Sequence, residues 1–231
     1  MFLYQDAGGF LFNSDAHFLY DFISGFKPSG KLLDVGAGCG IVGLLCKRDF
    51  RVDVTLIEKQ PSQASLIEHN ARVNTLDVDI VCDDFLEHTF DTQFDFVVSN
   101  PPYYHEGADK SENRALRIAK SADALPFSQM VAKINRIIKP KGRFIFCYDA
   151  KQLPHLMQIL AEAKFTVTDM RFVHGTAAKP AKLVMLCAQK GSRALCRVHP
   201  PLIHFEKEQM REEAQNVYRK TRTYSIKCKV L

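Results

Sequence analysis

The run Ser99-Asn100-Pro101-Pro102-Tyr103-Tyr104 follows directly on Phe96-Val97-Val98. The apolar triplet reads as a short buried strand, and two consecutive prolines end it, because proline has no N–H to give to a sheet ladder. The Asn100 side chain and the Pro101 carbonyl therefore stand at the carboxyl edge of a sheet, the edge where open α/β folds bind ligands. A second cluster is Asp34-Val35-Gly36-Ala37-Gly38-Cys39-Gly40. Glycines at alternate positions let the main chain turn tightly and let a ligand approach it, and Asp34 offers an acceptor to a ligand amine or to a set of loop amides. Glu58 ends the next apolar run, where an acid can accept both hydroxyls of a ribose. Asp83-Asp84-Phe85 follows a third run. A carboxylate beside an aromatic suits an adenine ring, one as acceptor for its amine and the other as a lid on its face. Spacing leaves open whether Asp83 or Asp84 turns inward.

These groups act together only if strands carry them to one edge. Asn13-Ser14-Asp15 supplies cap residues before Ala16, Leu19, Phe22 and Ile23, a spacing that predicts a first amphipathic helix. Residues 1–13 before it read as a packed aromatic arm. Strand, glycine turn and helix follow over Lys31–Leu45. A second strand over Val52–Ile57 leads to a helix opening at Pro61 and carrying Leu66, Ile67, Asn70 and Ala71. The third strand spans Asp79–Cys82 and the fourth carries the Asn-Pro-Pro-Tyr turn. Residues 104–124 are polar, with cations Lys110, Arg114, Arg117 and Lys120, and read as a loop near the site. A helix from Pro126 to Ile138, a strand over Arg143–Tyr148 and a helix from Leu153 to Ala161 come next. Two strands close the body at about Thr166–Val173 and Lys182–Ala188; no helix fits between them, so they pair antiparallel.

The chain has 231 residues, 46% of them hydrophobic, enough for one well-cored domain with a small appendage. No run of about 18 apolar residues is present to span a bilayer. No Lys or Arg precedes Lys27, which argues against a secretory signal. Seven cysteines without a CxxC pair read as reduced, mostly structural thiols of a cytoplasmic protein. His199 and His204 lack the companions of a metal site, and no metal is expected. The net charge of +5 is uneven: residues 180–231 hold 11 Lys and Arg against 4 Asp and Glu. That basic end points to a polyanionic partner. The organisation read from this is 1–189 as the main domain with its arm and first helix, and 190–231 as a basic C-terminal appendage.

The assembled motifs resemble those of the S-adenosylmethionine-dependent methyltransferases, over roughly Asn13 to Gln189. The resemblance implies an α/β, Rossmann-like class I fold: a seven-stranded, mostly parallel sheet with an antiparallel strand near its C-terminal end and helices on both faces. It implies S-adenosyl-L-methionine as cofactor, held by Asp34, Gly36, Gly38, Gly40, Glu58, Asp84, Phe85 and Asn100. In this class the tetrapeptide Asn100-Pro101-Pro102-Tyr103 marks methylation of a planar amide or aromatic amine nitrogen. The doubled tyrosine, the Asn13-Ser14-Asp15-Ala16 segment and the basic end are most similar to the tRNA adenine-N6 methyltransferases that modify a valine tRNA beside its anticodon. The segment departs from those relatives at Asn13, where they usually carry glycine.

Under this resemblance the Asn100 oxygen and the Pro101 carbonyl accept the two N6 hydrogens of an adenine and turn its lone pair toward the methyl group. Tyr103 stacks on the base, and Pro101 and Pro102 keep the turn rigid. Tyr104, Lys110, Arg114 and Arg117 are the candidate substrate contacts. The expected partner is RNA, above all a tRNA presenting an anticodon-loop adenine; no membrane is involved, and a monomer is expected. A different class of acceptor, a glutamine amide of a protein such as a release factor, is served by the same tetrapeptide, usually with a helical domain ahead of the first strand. A non-enzymatic RNA-binding protein with a vestigial cofactor fold is the third reading, disfavoured because both halves of the site are intact.

Overall fold

The computed structural model describes residues 1–7, 11–101 and 125–228; Pro102, Tyr103, Tyr104, Lys110, Arg114, Arg117 and Lys120 fall outside them. Strand β1 (Phe2–Asp6) leads to helix α1 (Ser14–Ser24), whose first turn is capped by the Asn13 side chain, accepting from the Asp15 amide at 2.9 Å. Strand β2 (Gly30–Val35), helix α2 (Ile41–Asp49), strand β3 (Val52–Glu58), helix α3 (Pro61–Val73) and strand β4 (Asp79–Cys82) make two parallel crossover units. Strand β5 (Phe94–Ser99), helix α4 (Phe127–Ile137), strand β6 (Ile138–Asp149) and helix α5 (Leu153–Glu162) continue the alternation. Strands β7 (Phe165–Thr176) and β8 (Ala181–Lys190) form a long antiparallel hairpin. The rest is short: β9 (Arg197–Val198), β10 (Leu202–Glu206), β11 (Gln209–Met210), helix α6 (Glu212–Thr221) and β12 (Tyr224–Cys228).

The main sheet has the order β11-β10-β7-β8-β6-β5-β2-β3-β4, with β9 beside β7. Strands β2 to β6 are mutually parallel, and β8 is antiparallel to both β6 and β7. Alternation along β2 explains the layers. Leu32 packs with α1, α2 and α3, through Leu19, Ile23, Leu44, Leu45 and Ile67. Its neighbour Leu33 packs on the opposite face with Met130, Val131 and Ile134 of α4 and Leu156 and Leu160 of α5. Strands buried on both faces read as near-continuous apolar runs, which is why they could be recognised. One boundary differs from expectation. Ile138 pairs with Phe94 as strand, not helix, and the register then shifts so that Arg143 pairs with Phe96. Lys141, with φ of 62°, and Gly142 form the intervening bulge; a Cβ on Gly142 would come within 2.6 Å of Ile138.

The segment after 190 is woven into the body. β10 extends the main sheet beside β7, and α6 buries Ala214 and Val217 in the same core as α1. β12 pairs in parallel with β1, Phe2 opposite Tyr224 and Asp6 opposite Cys228. The other edge of β1 is met by side chains: Asn70 of α3 accepts from the Tyr4 amide at 2.7 Å and donates to the Tyr4 carbonyl at 3.1 Å. Asn74, one turn on, does the same for Phe2 at 2.9 and 2.6 Å. Two amides at i and i+4 thus imitate the edge of a strand. Asn70 also donates to the Cys39 carbonyl at 2.9 Å, tying the arm to the glycine turn.

Asn70 is fully buried. Asn70→Ala should therefore lower unfolding free energy by about 2–4 kcal/mol, since it strands several polar groups of the buried main chain. Asn74→Ala, nearer solvent, should cost about 1 kcal/mol or less. Urea melts compare the two, and equal losses would remove the special position of Asn70.

Candidate active site

Four strand ends build the site. After β2 the chain turns through Gly36, Gly38 and Gly40, with φ of 66°, 58° and 88°. Gly36 and Ala37 both donate to the Ile57 carbonyl of β3, at 3.0 and 3.1 Å, which folds the turn over that strand's end. A Cβ on Gly36 or Gly38 would meet nothing within 4 Å, so the main chain there borders open space. Gly40 differs: it caps α2, and a Cβ on it would press on Leu44 and Ile67 at 3.1 and 3.2 Å. Close approach to the main chain is thus available at the first two glycines, while the third serves packing.

Glu58 ends β3 only 7% exposed. Its Oε2 accepts from the Gly38 amide and its Oε1 from the Gln60 amide, each at 2.9 Å. Burial pushes its pKa up, and these amides oppose that. Each oxygen keeps a lone pair, so the carboxylate can still receive two hydroxyls. Past β4, Asp83 donates its amide to the Glu58 carbonyl at 3.1 Å. Asp84 is the more sheltered of the two aspartates; it accepts from Lys59 at 2.6 Å and from the Leu86 amide at 2.9 Å, whereas Asp83 engages His88 at 3.0 Å. Phe85 is 5% exposed and packs with Phe90 in the α4–α5 core, its ring under the Lys133 ammonium at 5.3 Å.

Beside the glycine turn stands the end of β5. The Ser99 hydroxyl donates to the Val35 carbonyl at 2.8 Å, joining the two strand ends that flank the cleft. Asn100 is half-buried and Pro101 buried. The Cys147 thiol of β6 donates to the Asn100 Oδ1 at 2.9 Å. Asn100, Pro101, the open glycines and Glu58 thus lie on one edge, at adjacent strand ends. A carboxylate pair, free main-chain surface and strand-end acceptors fit a nucleoside bearing an amino-acid chain, the shape of the expected cofactor. Among the described residues no group of three or more His, Cys, Asp or Glu could hold a metal, and no helix is long and apolar enough to cross a membrane. The free thiols divide into buried Cys39, Cys46, Cys147 and Cys187, half-buried Cys228, and exposed Cys82 and Cys196.

Several partners escaped the sequence reading. Ser99 had a signal, a polar residue in an apolar run. Asn70 had one too, a polar residue on the apolar face of α3. Cys147 had none, because its contact depends on the β5–β6 register.

Asp34 is buried, and its Oδ2 accepts from the Gly43 amide in α2 at 2.8 Å. The acceptor therefore serves the protein's own helix. Burial raises its pKa from 3.8 to about 7, opposed by the Gly43 amide and reinforced by the Glu58 charge. Between those values the unfolded chain has released this proton while the folded chain holds it, so the folded state loses stability as pH rises through the window. Asp34→Asn keeps an acceptor for Gly43 and removes the titration. On going from about pH 5 to about pH 7.5, the wild type should lose more thermal stability than the variant. Identical pH dependence would mean that Asp34 ionises in the folded protein as it does in water.

The family model described as "Methyltransferase small domain" matches residues 15–152, more than half of the chain. A tRNA1(Val) (adenine(37)-N6)-methyltransferase of Shewanella baltica (strain OS155 / ATCC BAA-1091) is 24% identical over 182 residues, covering 74% of this chain and 71% of the relative. The protein of the same name from Aliivibrio fischeri (strain ATCC 700601 / ES114) is 26% identical over 167 residues, 69% of each chain. Among solved structures, a predicted O-methyltransferase from Agrobacterium tumefaciens is similar with a TM-score of 0.70 at 17% identity, covering 93% of this chain and all of the other. A methyltransferase from Pyrococcus furiosus gives a TM-score of 0.62 at 16% identity, covering 82% and 89%. The fold is thus the class I methyltransferase fold expected from the motifs, with β7 and β8 antiparallel as their spacing required; the sheet has ten strands and not seven, because the short β9, β10 and β11 add to its edge beside β7. The chain belongs to the methyltransferase small domain family and is an S-adenosylmethionine-dependent methyltransferase.

Proposed function

We propose that the protein transfers the methyl group of S-adenosylmethionine to the exocyclic N6 amine of an adenine in RNA, an unpaired adenine of a tRNA anticodon loop. The observation that carries this reading is the junction of β2 and β5. Acceptors at Asn100 and Pro101 adjoin the open glycine turn, and Ser99 locks the two strand ends together. The names of the relatives above support the choice of acceptor. The cofactor supplies a methyl group activated on a sulfonium, so the protein's task is to position and polarise.

In this reading Gly36 and Gly38 admit the cofactor to the main chain, Gly40 and Asp34 hold the turn that does so, and Glu58 receives the ribose hydroxyls. Asp84 accepts the cofactor's adenine amine, while Phe85, expected as a lid on that ring, turns into the α4–α5 core and anchors the loop that carries Asp84. The Asn100 oxygen and Pro101 carbonyl accept the N6 hydrogens, which biases the amine lone pair away from conjugation with the ring. Pro102 stiffens the turn, Tyr103 and Tyr104 stack on the target base, and Lys110, Arg114 and Arg117 meet flanking phosphates. A base in a loop costs less to unstack than one in a duplex. Residues 1–189 carry the transfer site, and the basic segment 190–231 braces it.

Glu58→Ala should weaken S-adenosylmethionine binding by about 1.5–3 kcal/mol, the range for hydrogen bonds to a charged group. Unchanged affinity in titration calorimetry would take Glu58 out of the cofactor site, and so would normal binding by Gly38→Val for the glycine turn.

Asn100→Ala should leave that affinity nearly intact while transfer falls by about a hundredfold or more. Transfer within a few-fold of wild type refutes the polarising role. The acceptor itself is tested in cells lacking the protein, by mass spectrometry of digested tRNA and of release factors. N6-methyladenosine should vanish from one tRNA. Its persistence, together with loss of methylglutamine from a release factor, would move the activity to proteins.

A further inference from the structure

Two kinds of cation occur near the ends of this sheet, and the structure separates them. In the segment from 190 onward many are engaged within the fold. The Lys190 ammonium bonds the Asn135 and Ile138 carbonyls at 2.5 and 3.4 Å. Lys220 pairs with Asp21 at 2.8 Å and also bonds Ser24. Arg219 binds Asn216 and Gln215 on its own helix, and Arg211 lies 3.9 Å from Glu206. The amino-edge end of β8 also carries Lys190 away from Asn100, because Phe165, at the start of β7, is its partner.

Three other lysines have no such partner. Lys151 follows β6, Lys179 lies in the turn between β7 and β8, and Lys182 is the second residue of β8; all three are exposed, and no ion pair engages them among the described residues. Topology brings them to one edge. β6 and β7 run parallel to β5, so their ends, and the start of antiparallel β8, lie at the same edge as Asn100. Asp149 pairs with Leu183, and His174 with Ala181, so Lys182 stands between the last rungs of the β7–β8 ladder while Lys151 and Lys179 lie beyond the strand ends at the same edge. The turn bearing Lys179 is ordered: its amide donates to the Thr176 carbonyl at 3.1 Å, and its carbonyl engages the His174 ring at 2.8 Å. Strand order from Asn100 outward is β5, β6, β8, β7. At about 4.8 Å per strand the row is displaced sideways from β5 by up to roughly 14 Å. It lies on the side opposite β3 and β4, where Glu58 and Asp84 occupy the edge. Beyond it the turn after β10 mixes Lys207 with Glu206 and Glu208; within it Asp149, at the end of β6, is buried and accepts from the Lys151 amide at 3.0 Å.

We infer that Lys151, Lys179 and Lys182 form a phosphate-binding track for the strand of RNA that continues from the target adenine. The inference rests on the reading above that the acceptor base belongs to an RNA. Unpaired ammonium groups in a row, beside a site that must hold an extruded base, suit a polyanion and not a neutral peptide. Each phosphate neutralised adds about 0.7 to 0.9 to the slope of log affinity against log salt.

The test measures binding of a fluorescent anticodon stem-loop RNA by anisotropy at several salt concentrations, with S-adenosylmethionine affinity by calorimetry as the control for folding. The charge-reversed trio Lys151→Glu, Lys179→Glu and Lys182→Glu should raise the RNA Kd by about tenfold or more and reduce the salt slope by about 2, with cofactor affinity unchanged. The alanine trio should move both quantities the same way by less. If the alanine trio matches wild type in affinity and slope, the track is refuted. It is equally refuted if Arg193→Glu with Arg197→Glu, on the β9 side, causes the larger loss. Wild-type protein that binds this RNA with no salt dependence would overturn the RNA acceptor as well as the track.

Discussion

The sheet reverses its winding at β2. From that strand the chain steps outward through β3 to β4, then returns to β2's other side as β5 and proceeds through β6. Helices α1–α3 consequently lie on one face and α4 and α5 on the other. Among the described residues, the helix that follows β2 packs on one face and the next one after β5 on the other, so the carboxyl ends of β2 and β5 flank a crevice at a switch point of the sheet. Everything polar in the site depends on that gap. The glycine turn enters it from β2, Asn100 from β5, and the Ser99 hydroxyl fixes its width by bonding the Val35 carbonyl.

Placing acids at such a gap has a cost that the local main chain offsets. Glu58 and Asp34 are both nearly removed from water, and burial disfavours the charged form of each. The amides of Gly38, Gln60 and Gly43 answer with hydrogen bonds from elements that begin beside the carboxylates. The same bonds fix the glycine turn against β3 and α2 against β2. An acidic pair read from sequence as ligand groups is therefore also part of the scaffold, and a mutation at either position perturbs both. A cofactor carrying a positive sulfonium would further favour the ionised forms.

Sequence disclosed what repeats locally and withheld what joins distant parts. Strands β2, β3 and β5 were legible because continuous apolar runs end in chemically distinctive residues, Asp34, Glu58 and Asn100. The β7–β8 pairing was legible because too few residues separate them for a helical crossover. Strand β1 read only as an arm: its partner β12 lies at the other end of the chain, and half of its ladder comes from the side chains of Asn70 and Asn74. Nor could the basic count of residues 180–231 say which cations are already bonded. Lys190 and Lys220 count toward net charge yet spend it on carbonyls and on Asp21. Phe85 shows a similar limit, since an aromatic after a strand end reads the same whether its ring faces the cleft or, as here, the α4–α5 core.

The contact between Cys147 and Asn100 bears on how the proposed transfer is oriented. A thiol is a weak donor and a weak acceptor, so it can face either end of an amide. With Oδ1 toward the sulfur at 2.9 Å, the oxygen retains a second lone pair for an incoming amine. With the amide turned over, Oδ1 faces the cleft and accepts from an incoming amine without competition. Either arrangement keeps the amide plane fixed, because the β5–β6 register holds the thiol in place: Ser99 pairs with Phe146, one residue before each partner. A weakly bonding neighbour makes the two orientations close in energy, whereas a lysine or an aspartate there would hold one of them strongly. The acceptor amine, which needs an oxygen opposite its hydrogens, then selects the productive orientation when it binds, and the protein need only keep the other one from being favoured.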